Sequence, residues 1–442
     1  MGTRSLYTVP IIFWSLLTLL VHMLICLGTN GFSLKLIPQY SIDSVIFPKN
    51  LSQHEKHNRI VELSKARALH FQSMNFTNAT KQGIKALEPK IVYHPRNFYV
   101  AQMDIGTTPY SALLVVDTGS ETTWVQGEGC TSCFPLCVGN FKYKESRSIS
   151  PVSCDDPLCF PRICEDNICV YEINYKDHSH SRGYLSSDTF TFPAHGGERV
   201  SYENVVFGVG LDNQNIAFSK FRESENTIAG VLHLGHGYQS ILWQLEAETD
   251  LRFSYCLSYW TNTQDTHTYL HFGKDAQIRG TNQEIVQTTP LIPNVNMYYV
   301  EVLSISMEGK KLPIDPVEFQ LRSDFKGGFA IDTGSALTYL VQNAYNIVRV
   351  EMVKYLQAYN WNPTVHSELP YDVIPIENQQ FPSLTIHFIG ANLDQLGSHR
   401  VFKLFYDDTF CMFILPTSQQ GTNILGAFQQ ADYQFLFDVG TG

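Results

Sequence analysis

The chain has 442 residues, of which 44% are hydrophobic and 17% are charged, and its formal net charge at pH 7 is −11. This composition excludes an intrinsically disordered protein, because it supplies enough apolar side chains for one or two cores. Two lobes are the expectation for this length, and no nucleic-acid partner is expected.

The first 30 residues are typical of a secretory signal. An apolar run over residues 9–27 follows Arg4 and ends on small residues. The run falls just short of the roughly 20 apolar residues that a membrane anchor needs. We expect a cleaved signal, with a retained anchor as the alternative, and no stable membrane association. The signal fits both an extracellular (apoplastic) and a vacuolar destination.

Residues 31–96 are predicted to form a propeptide. They carry ten Lys and Arg against four Asp and Glu, whereas residues 97–442 carry 20 against 38. Apolar residues at helical spacing within residues 54–74 predict an amphipathic helix. A basic leader and an acidic body indicate a segment that inhibits the enzyme until carboxylates protonate, and a solvated basic tail is the alternative.

Three N-glycosylation sequons lie in this leader, at Asn50, Asn75 and Asn78. Residues 97–442 contain no sequon. Removal of the leader is therefore predicted to leave a mature protein without N-glycans.

Ten cysteines occur, and nine remain when Cys26 in the signal is set aside. An odd number leaves at least one thiol without an intramolecular partner in a compartment where disulfides form. Zinc is the alternative for Cys130 and Cys133, but the export signal and the lack of a matching histidine pair favour disulfides. No metal and no cofactor is expected.

Beyond residue 97 the sequence predicts a mostly β protein, because short runs of aromatic and β-branched residues alternate with turn residues. The predicted strands include residues 98–103, 113–116, 189–192, 205–209, 298–305 and 381–388. Helices are predicted at residues 240–247 and 344–359.

One tetrapeptide occurs twice, each time directly after an apolar strand. The copies are Asp117, Thr118, Gly119, Ser120 and Asp332, Thr333, Gly334, Ser335. Any chosen tetrapeptide would occur in about one chain in a hundred of this length, so two copies in matching contexts indicate a shared role. The alternative for a single copy is a solvated turn. Each glycine lets the backbone turn tightly, so that each Asp can project into a cleft.

Two carboxylates at hydrogen-bonding distance cannot both ionise, so Asp117 and Asp332 are predicted to share one proton. The ionised member would activate a water for attack on a peptide carbonyl, while the protonated member hydrogen-bonds the carbonyl oxygen. Acidic conditions are therefore expected for activity.

These motifs resemble those of the pepsin-like aspartic protease family, and the likeness covers nearly all of the chain beyond residue 98. The resemblance implies a mostly β, bilobal acid protease fold. It has two six-stranded-type β lobes with an active-site cleft between them. The lobes would be residues 97–275 and residues 276–442.

The resemblance also assigns roles to the residues around the carboxylates. Thr118 and Thr333 would interlock beneath them through backbone hydrogen bonds. Ser120 and Ser335 would hydrogen-bond outward from them. Tyr175 would lie in a hairpin flap that closes over the substrate.

A narrower likeness is to plant nepenthesin-like aspartic proteases. It is carried by a cysteine-rich insertion over residues 130–169 and by the segments 207–210, 253–256 and 423–430. By analogy the bridges of the insertion would join Cys130 to Cys133, Cys154 to Cys169 and Cys159 to Cys164. They would tie down a loop that has little core of its own.

Four departures from the family pattern concern activity. Bulky residues 176–178 replace glycines of the flap. His233 replaces a glycine behind the first Asp, and it is expected either to crowd the carboxylates or to point to solvent. The family ends with one further strand beyond residue 442. Family partners are missing for Cys137, Cys256 and Cys411.

The combined expectation is a secreted aspartic-type endopeptidase, made as a zymogen, that acts as a monomer on proteins or peptides and is inhibited by its own propeptide. The alternative is a protease-shaped binding or inhibitor protein without hydrolytic activity, and a truncated non-functional copy is a third reading. Both Asp residues stand in unbroken motifs, which favours the enzyme.

Overall fold

The computed structural model describes residues 90–441 except for several short segments. These are 95–97, 121, 175–178, 194–198, 217, 219–225, 258–268, 281–285, 294, 296, 361–363, 367–368, 373–380, 396–400 and 405–409. The predicted signal, the leader helix, the three sequons and Tyr175 with the rest of the flap tip lie outside the described residues. Within the described part, no helix is long and apolar enough to span a membrane.

Strands dominate the first half of the described chain. They are β1 (Lys90–His94), β2 (Phe98–Ile105), β3 (Tyr110–Asp117), β4 (Trp124–Gln126), β5 (Ser150–Pro151), β6 (Ile163–Glu165), β7 (Ile168–Asn174), β8 (His180–Pro193), β9 (Arg199–Gln214), β10 (Ile228–His233), β11 (Arg252–Cys256) and β12 (Leu270–Phe272). The helices of this half are α1 (Ile241–Gln244) and α2 (Glu246–Thr249). Ten strands form one sheet in the order β1-β2-β3-β10-β4-β9-β8-β7-β6, with β5 paired to β8.

The second half has its own sheets. Its strands are β13 (Tyr298–Val300), β14 (Val302–Met307), β15 (Lys310–Lys311), β16 (Phe329–Asp332), β17 (Thr338–Val341), β18 (Thr364–His366), β19 (Leu369–Asp372), β20 (Leu384–Phe388), β21 (Ala391–Gln395), β22 (Phe402–Leu404), β23 (Phe410–Met412), β24 (Ile414–Thr417), β25 (Asn423–Gly426) and β26 (Gln434–Asp438). Its helices are α3 (Gln342–Ala358) and α4 (Ala427–Gln430). One sheet has the order β13-β16-β25-β17-β24 and another the order β15-β14-β20-β21, and β18-β19 and β22-β23 are separate pairs.

The same strand unit occurs once in each half. β3 pairs in parallel with β10, and β16 pairs in parallel with β25. In this register Asp117 lies opposite His233, and Asp332 lies opposite Gly426. All six residues of β10 are buried, which is typical of a strand between two neighbours in a sheet covered on both faces. The two Asp residues therefore end equivalent strands.

A further sheet of order β12-β11-β26 joins distant parts of the chain. Its inner face is aromatic. The rings of Phe253 and Phe437 stack with their centroids 4.6 Å apart, and the ring centroid of Tyr298 lies 4.7 Å from that of Phe437. Full burial of side chains of this size is worth about 2 to 3 kcal/mol each, so the contact stabilises the sheet against its neighbours. The buried core is continuous across both halves.

The prediction of a mostly β protein with two lobes is confirmed, with 46% strand and 15% helix, whereas the six-strand count is not confirmed. The predicted strand over residues 298–305 is interrupted at Glu301, between β13 and β14. The predicted helix over residues 240–247 is broken at Leu245, where φ is −108° and ψ is 32°. Propensity cannot locate such breaks, because they depend on pairing with other strands. The lobe boundary near residue 275 stays a prediction.

The disulfides of the insertion correct the predicted pairing. The structure joins Cys130 to Cys133, Cys154 to Cys164 and Cys159 to Cys169. The last two pairs differ from the analogy, and burial explains why. Cys159 and Cys169 both point into the core, whereas Cys154 is half-buried and Cys164 is exposed. Cys137 and Cys256 lie outside these three bridges, and the side chain of Cys411 lies outside the described residues.

The end of the predicted leader belongs to the first sheet. Its residues Lys90–His94 form β1 and pair antiparallel with β2, with Lys90 opposite Gln102 and His94 opposite Phe98. The sheet thus extends into the segment that the charge pattern assigns to the propeptide. The predicted leader boundary at residue 96 remains a prediction.

Candidate active site

Asp117 and Asp332 each lie at the carboxyl end of a buried strand. Asp117 ends β3 with 3% of its surface exposed, and Asp332 ends β16 with none. The glycine two residues later donates its backbone N–H to Oδ1 of each carboxyl group, Gly119 at 2.9 Å and Gly334 at 3.0 Å. The turn of each tetrapeptide therefore orients its own carboxyl group in the same way.

The threonines of the two motifs exchange hydrogen bonds. The backbone N–H of Thr333 donates to Oγ1 of Thr118 at 3.0 Å, and the N–H of Thr118 donates to Oγ1 of Thr333 at 3.3 Å. Each hydroxyl also donates to a strand of the opposite half, at the carbonyl of Ile331 (3.4 Å) or of Val116 (3.0 Å). Both side chains are buried, so these bonds are shielded from water and hold the two Asp-bearing turns together.

The serines of the two motifs differ. The hydroxyl of Ser120 donates to Oδ2 of Asp117 at 2.5 Å, as the resemblance implies. The hydroxyl of Ser335 is buried and has no hydrogen-bond partner among the described residues. The expected outward bond from Ser335 is therefore absent from the described contacts, and the two halves of the site are not equivalent.

His233 lies inside the site. Its side chain is fully buried, its Nδ1 is hydrogen-bonded to Oγ of Ser120, and Nδ1 lies 3.7 Å from Oδ2 of Asp117. The expectation that the ring points to solvent is wrong. The reason is the register of β10, which places residue 233 directly opposite Asp117 at the end of a fully buried strand.

Gln430 supports the half of the site that contains Asp332 through hydrogen bonds to the backbone. Its side-chain amide donates to the backbone carbonyl of Asp332 at 3.2 Å and to that of Leu425 at 2.8 Å, and its Oε1 accepts the hydroxyl of Tyr255 at 2.6 Å. Burial, together with the charge of Asp332, raises the pKa of Tyr255 well above its usual value. The phenol therefore stays protonated and keeps donating to Gln430.

Comparisons with known protein families match the two halves of the chain separately. A family model described as Xylanase inhibitor N-terminal matches residues 99–274, and one described as Xylanase inhibitor C-terminal matches residues 297–442. Aspartic proteinase nepenthesin-2 of Nepenthes gracilis is 31% identical over 90% of this chain and 86% of its own length. This chain belongs to the pepsin-like aspartic protease family. The predicted likeness to nepenthesin-like members of that family is confirmed.

Solved structures show the aspartic protease fold at lower sequence identity. The crystal structure of edgp matches with a TM-score of 0.66 and 18% identity, over 82% of this chain and 94% of that one. The crystal structure of basic 7S globulin from soybean matches with a TM-score of 0.61 and 17% identity, over 81% of this chain and 93% of that one. At these identities the likeness concerns the fold alone.

Two further threonines of this family member were not singled out from the sequence. Oγ1 of Thr123 accepts the backbone N–H of His233 at 3.1 Å, and Oγ1 of Thr338 accepts the backbone N–H of Gly426 at 3.1 Å. These bonds attach the parallel partner strand to the Asp-bearing turn in both halves. The backbone geometry is thus the same around His233 and around Gly426.

A sequence signal for these threonines was present. The repeat extends beyond the tetrapeptide to Asp-Thr-Gly-Ser-x-x-Thr followed by an aromatic residue, which is Trp124 in the first copy and Tyr339 in the second. Both aromatic side chains are buried and pair with the strand that carries the residue opposite the Asp. Six matching positions out of eight would have predicted the whole strand unit rather than its turn alone. Among the described residues, no His, Cys, Asp or Glu cluster is arranged to hold a metal ion.

Proposed function

We propose that this protein is an endopeptidase that hydrolyses peptide bonds in proteins at acidic pH, using a water activated between Asp117 and Asp332. The observation that carries the proposal is the reciprocal hydrogen bonding of Thr118 and Thr333, 215 positions apart. It brings two buried Asp-bearing turns from separate halves of the chain together. Such a pair of carboxyl groups suits general acid and base catalysis on one bound water.

The roles of the two carboxyl groups follow from the chemistry of the reaction. An ionised carboxylate takes a proton from the water as the oxygen attacks the peptide carbonyl, and a protonated carboxyl stabilises the developing oxyanion. The proton then passes to the leaving amine. The similarity to nepenthesin-2 over most of both chains supports this reaction for the family.

The wider setting belongs to the same proposal. The enzyme is exported to the apoplast or the vacuole, is made with a basic inhibitory leader, and acts as a monomer on protein or peptide substrates. The charge difference between residues 31–96 and residues 97–442 supports the leader, because the attraction weakens as carboxylates protonate. N-terminal sequencing after acid exposure tests it, and a mature terminus before residue 54 would contradict the prosegment assignment.

The test of catalysis uses the purified full chain at about pH 3 to 4, where a carboxyl pair holds one proton. We expect cleavage of an unfolded protein substrate and its inhibition by a statine-type transition-state mimic. Asp117→Asn and Asp332→Asn should each lower kcat/KM by about three orders of magnitude or more. Cleavage that survives either substitution would assign the activity to a contaminant or to another mechanism.

A second candidate is a binding protein that inhibits a glycoside hydrolase, and the descriptions of both matching family models favour it. Titration calorimetry with an endo-xylanase tests this candidate directly. Tight binding that is unchanged in Asp117→Asn, with no proteolysis between pH 2 and pH 6, would replace the enzyme by the binding protein. Intact motifs around both carboxyl groups favour the enzyme.

A further inference from the structure

The two copies of the catalytic unit differ at one position opposite the carboxyl groups. Residue 233 lies opposite Asp117 and residue 426 lies opposite Asp332, and in both cases the backbone N–H donates to a threonine hydroxyl at 3.1 Å. The backbone is therefore equivalent, while the first copy has an imidazole and the second has only the hydrogen atom of Gly426. Asp117 thus has a titratable neighbour, His233, at a position where the second copy has glycine.

The imidazole is directed at the reacting group. Nδ1 of His233 contacts Oγ of Ser120, and Ser120 contacts Oδ2 of Asp117. The ring is fully buried, so water does not screen the 3.7 Å separation between Nδ1 and Oδ2.

The direction of the hydrogen bonds follows from counting protons. A serine hydroxyl has one hydrogen, and an ionised carboxylate only accepts, so Ser120 donates its hydrogen to Asp117. The oxygen of Ser120 then accepts from Nδ1–H of His233. When protonated, the ring carries a second N–H and a positive charge. Negative charge on Asp117 is then stabilised by the serine and by the imidazolium behind it.

We infer that His233 is a positioning residue of the carboxyl pair, which acts through Ser120 to keep Asp117 ionised, so that Asp117 is the base and Asp332 carries the shared proton. This inference rests on the proposed function. The second copy lacks these contacts, because Gly426 provides no side chain and the hydroxyl of Ser335 has no partner among the described residues.

The groups around the ring are consistent with this role. Asp117 on β3 is a titratable group that faces it, while the loop after β3 presents the hydroxyl of Ser120 and the segment before β4 presents that of Thr123. Within β10 itself the residues before His233 are uncharged. His236, further along the chain, hydrogen-bonds the carbonyl of Val295 at 2.8 Å.

The first experiment measures kcat/KM against pH for the acid-activated enzyme. The acid limb reports the ionisation that creates the active, singly protonated pair. His233→Gly copies the second half of the site, and it should move this limb to higher pH by about one unit, because an opposite charge within 4 Å favours the carboxylate. His233→Asn keeps a hydrogen-bond donor without a charge and should move it in the same direction.

A matched control is His387→Gln, which changes a half-buried histidine on β20 that bonds Asn392 and Ser306. It should leave the acid limb in place. Superposition of the His233→Gly limb on the wild-type limb, in a variant with a normal thermal unfolding transition, would overturn the inference. A wild-type limb in His233→Asn would also overturn it, because the charge would then have no effect.

A second readout separates this inference from the proposed function. NMR titration of the full chain with labelled histidine identifies the His233 signal as the one lost in His233→Gly. In Asp117→Asn the midpoint of that signal should fall by about one pH unit, because the carboxylate that stabilises the imidazolium is gone. An unchanged midpoint would refute the contact, whereas absent proteolysis with the expected NMR shift would refute the proposed function alone.

Discussion

Thr118 and Thr333 each donate a backbone N–H to the hydroxyl of the other, so the two Asp-bearing turns share one hydrogen-bond network. The network also includes the carbonyls of Val116 and Ile331, the residues just before the two Asp residues. The spacing of the carboxyl groups therefore depends on two neighbouring threonine side chains.

Thr118→Val tests this dependence, since valine has nearly the same shape but lacks the hydroxyl. The N–H of Thr333 and the carbonyl of Ile331 lose their partners in a buried site, which should lower the free energy of unfolding by about 2 to 4 kcal/mol. We also expect kcat/KM to fall by about a hundredfold. Thr118→Ser keeps the hydroxyl and serves as the control in urea unfolding and in the cleavage assay. Equal stability of the Val and Ser variants would contradict the shared network.

Gly426→Ala tests the close packing of the second copy. A methyl group at residue 426 would meet the backbone carbonyl oxygen of Leu337 at 2.2 Å, which backbone movement alone can relieve. The free energy of unfolding should fall by about 3 kcal/mol. His233→Ala, at the equivalent register position, is the control and should cost less, because its Cβ is already accommodated. Denaturant titration measures both, and a larger loss in the control would contradict the packing difference.

His271 on β12 should limit stability at low pH. Burial, together with the charge of Arg279, lowers the pKa of His271 from 6.5 to about 4 in the folded protein. As pH falls below 6.5 the unfolded chain binds a proton before the folded one does, so stability is lost progressively down to about pH 4. The loss should be about 2 kcal/mol after allowance for partial exposure of the ring.

The measurement is the difference in unfolding free energy between pH 7 and pH 4, compared in wild type and in His271→Gln. Glutamine does not titrate, so the difference should shrink in the variant. The half-buried His387 on β20, changed to Gln, provides the matched comparison. An identical difference in wild type and His271→Gln would rule out this site as the source of the pH dependence.

The disulfides of the insertion should differ in their access to reductant. Cys159 and Cys169 are buried, while Cys154 is half-buried and Cys164 is exposed. Under mild reduction with an alkylating agent, Cys154 and Cys164 should be labelled before Cys159 and Cys169, because the attacking thiolate must reach the sulfur. Peptide mapping by mass spectrometry follows the order. The same map of the unreduced protein checks the pairing, and a Cys154–Cys169 peptide would contradict it.

Much of the fold was predictable because its signals are local. Turn residues between aromatic and β-branched runs indicated the strands, and apolar residues on one face indicated α3. The break at Leu245 and the interruption at Glu301 were not predictable. They depend on how α1 and β13 pack against neighbours that are distant in the chain.

The position of the His233 side chain in the site was likewise not predictable from local sequence. The sequence marked the residue as unusual, but crowding of the carboxyl groups and exposure to solvent were both open. Parallel pairing of β10 with β3 decided the outcome, because it places residue 233 opposite Asp117 in the interior. The pairing of the cysteines was also not predictable, since analogy with the family could not tell which of them faced the core.

By itself, the sequence determined that two like turns present carboxyl groups and that the chain around them is mostly β, because both depend on short repeats and local periodicity. Only the tertiary structure decided that the threonines of these turns join, that the halves differ at residues 233 and 426, and which cysteines pair. The physical reason is that contacts between residues more than a hundred positions apart depend on strand register and burial, which no short segment encodes.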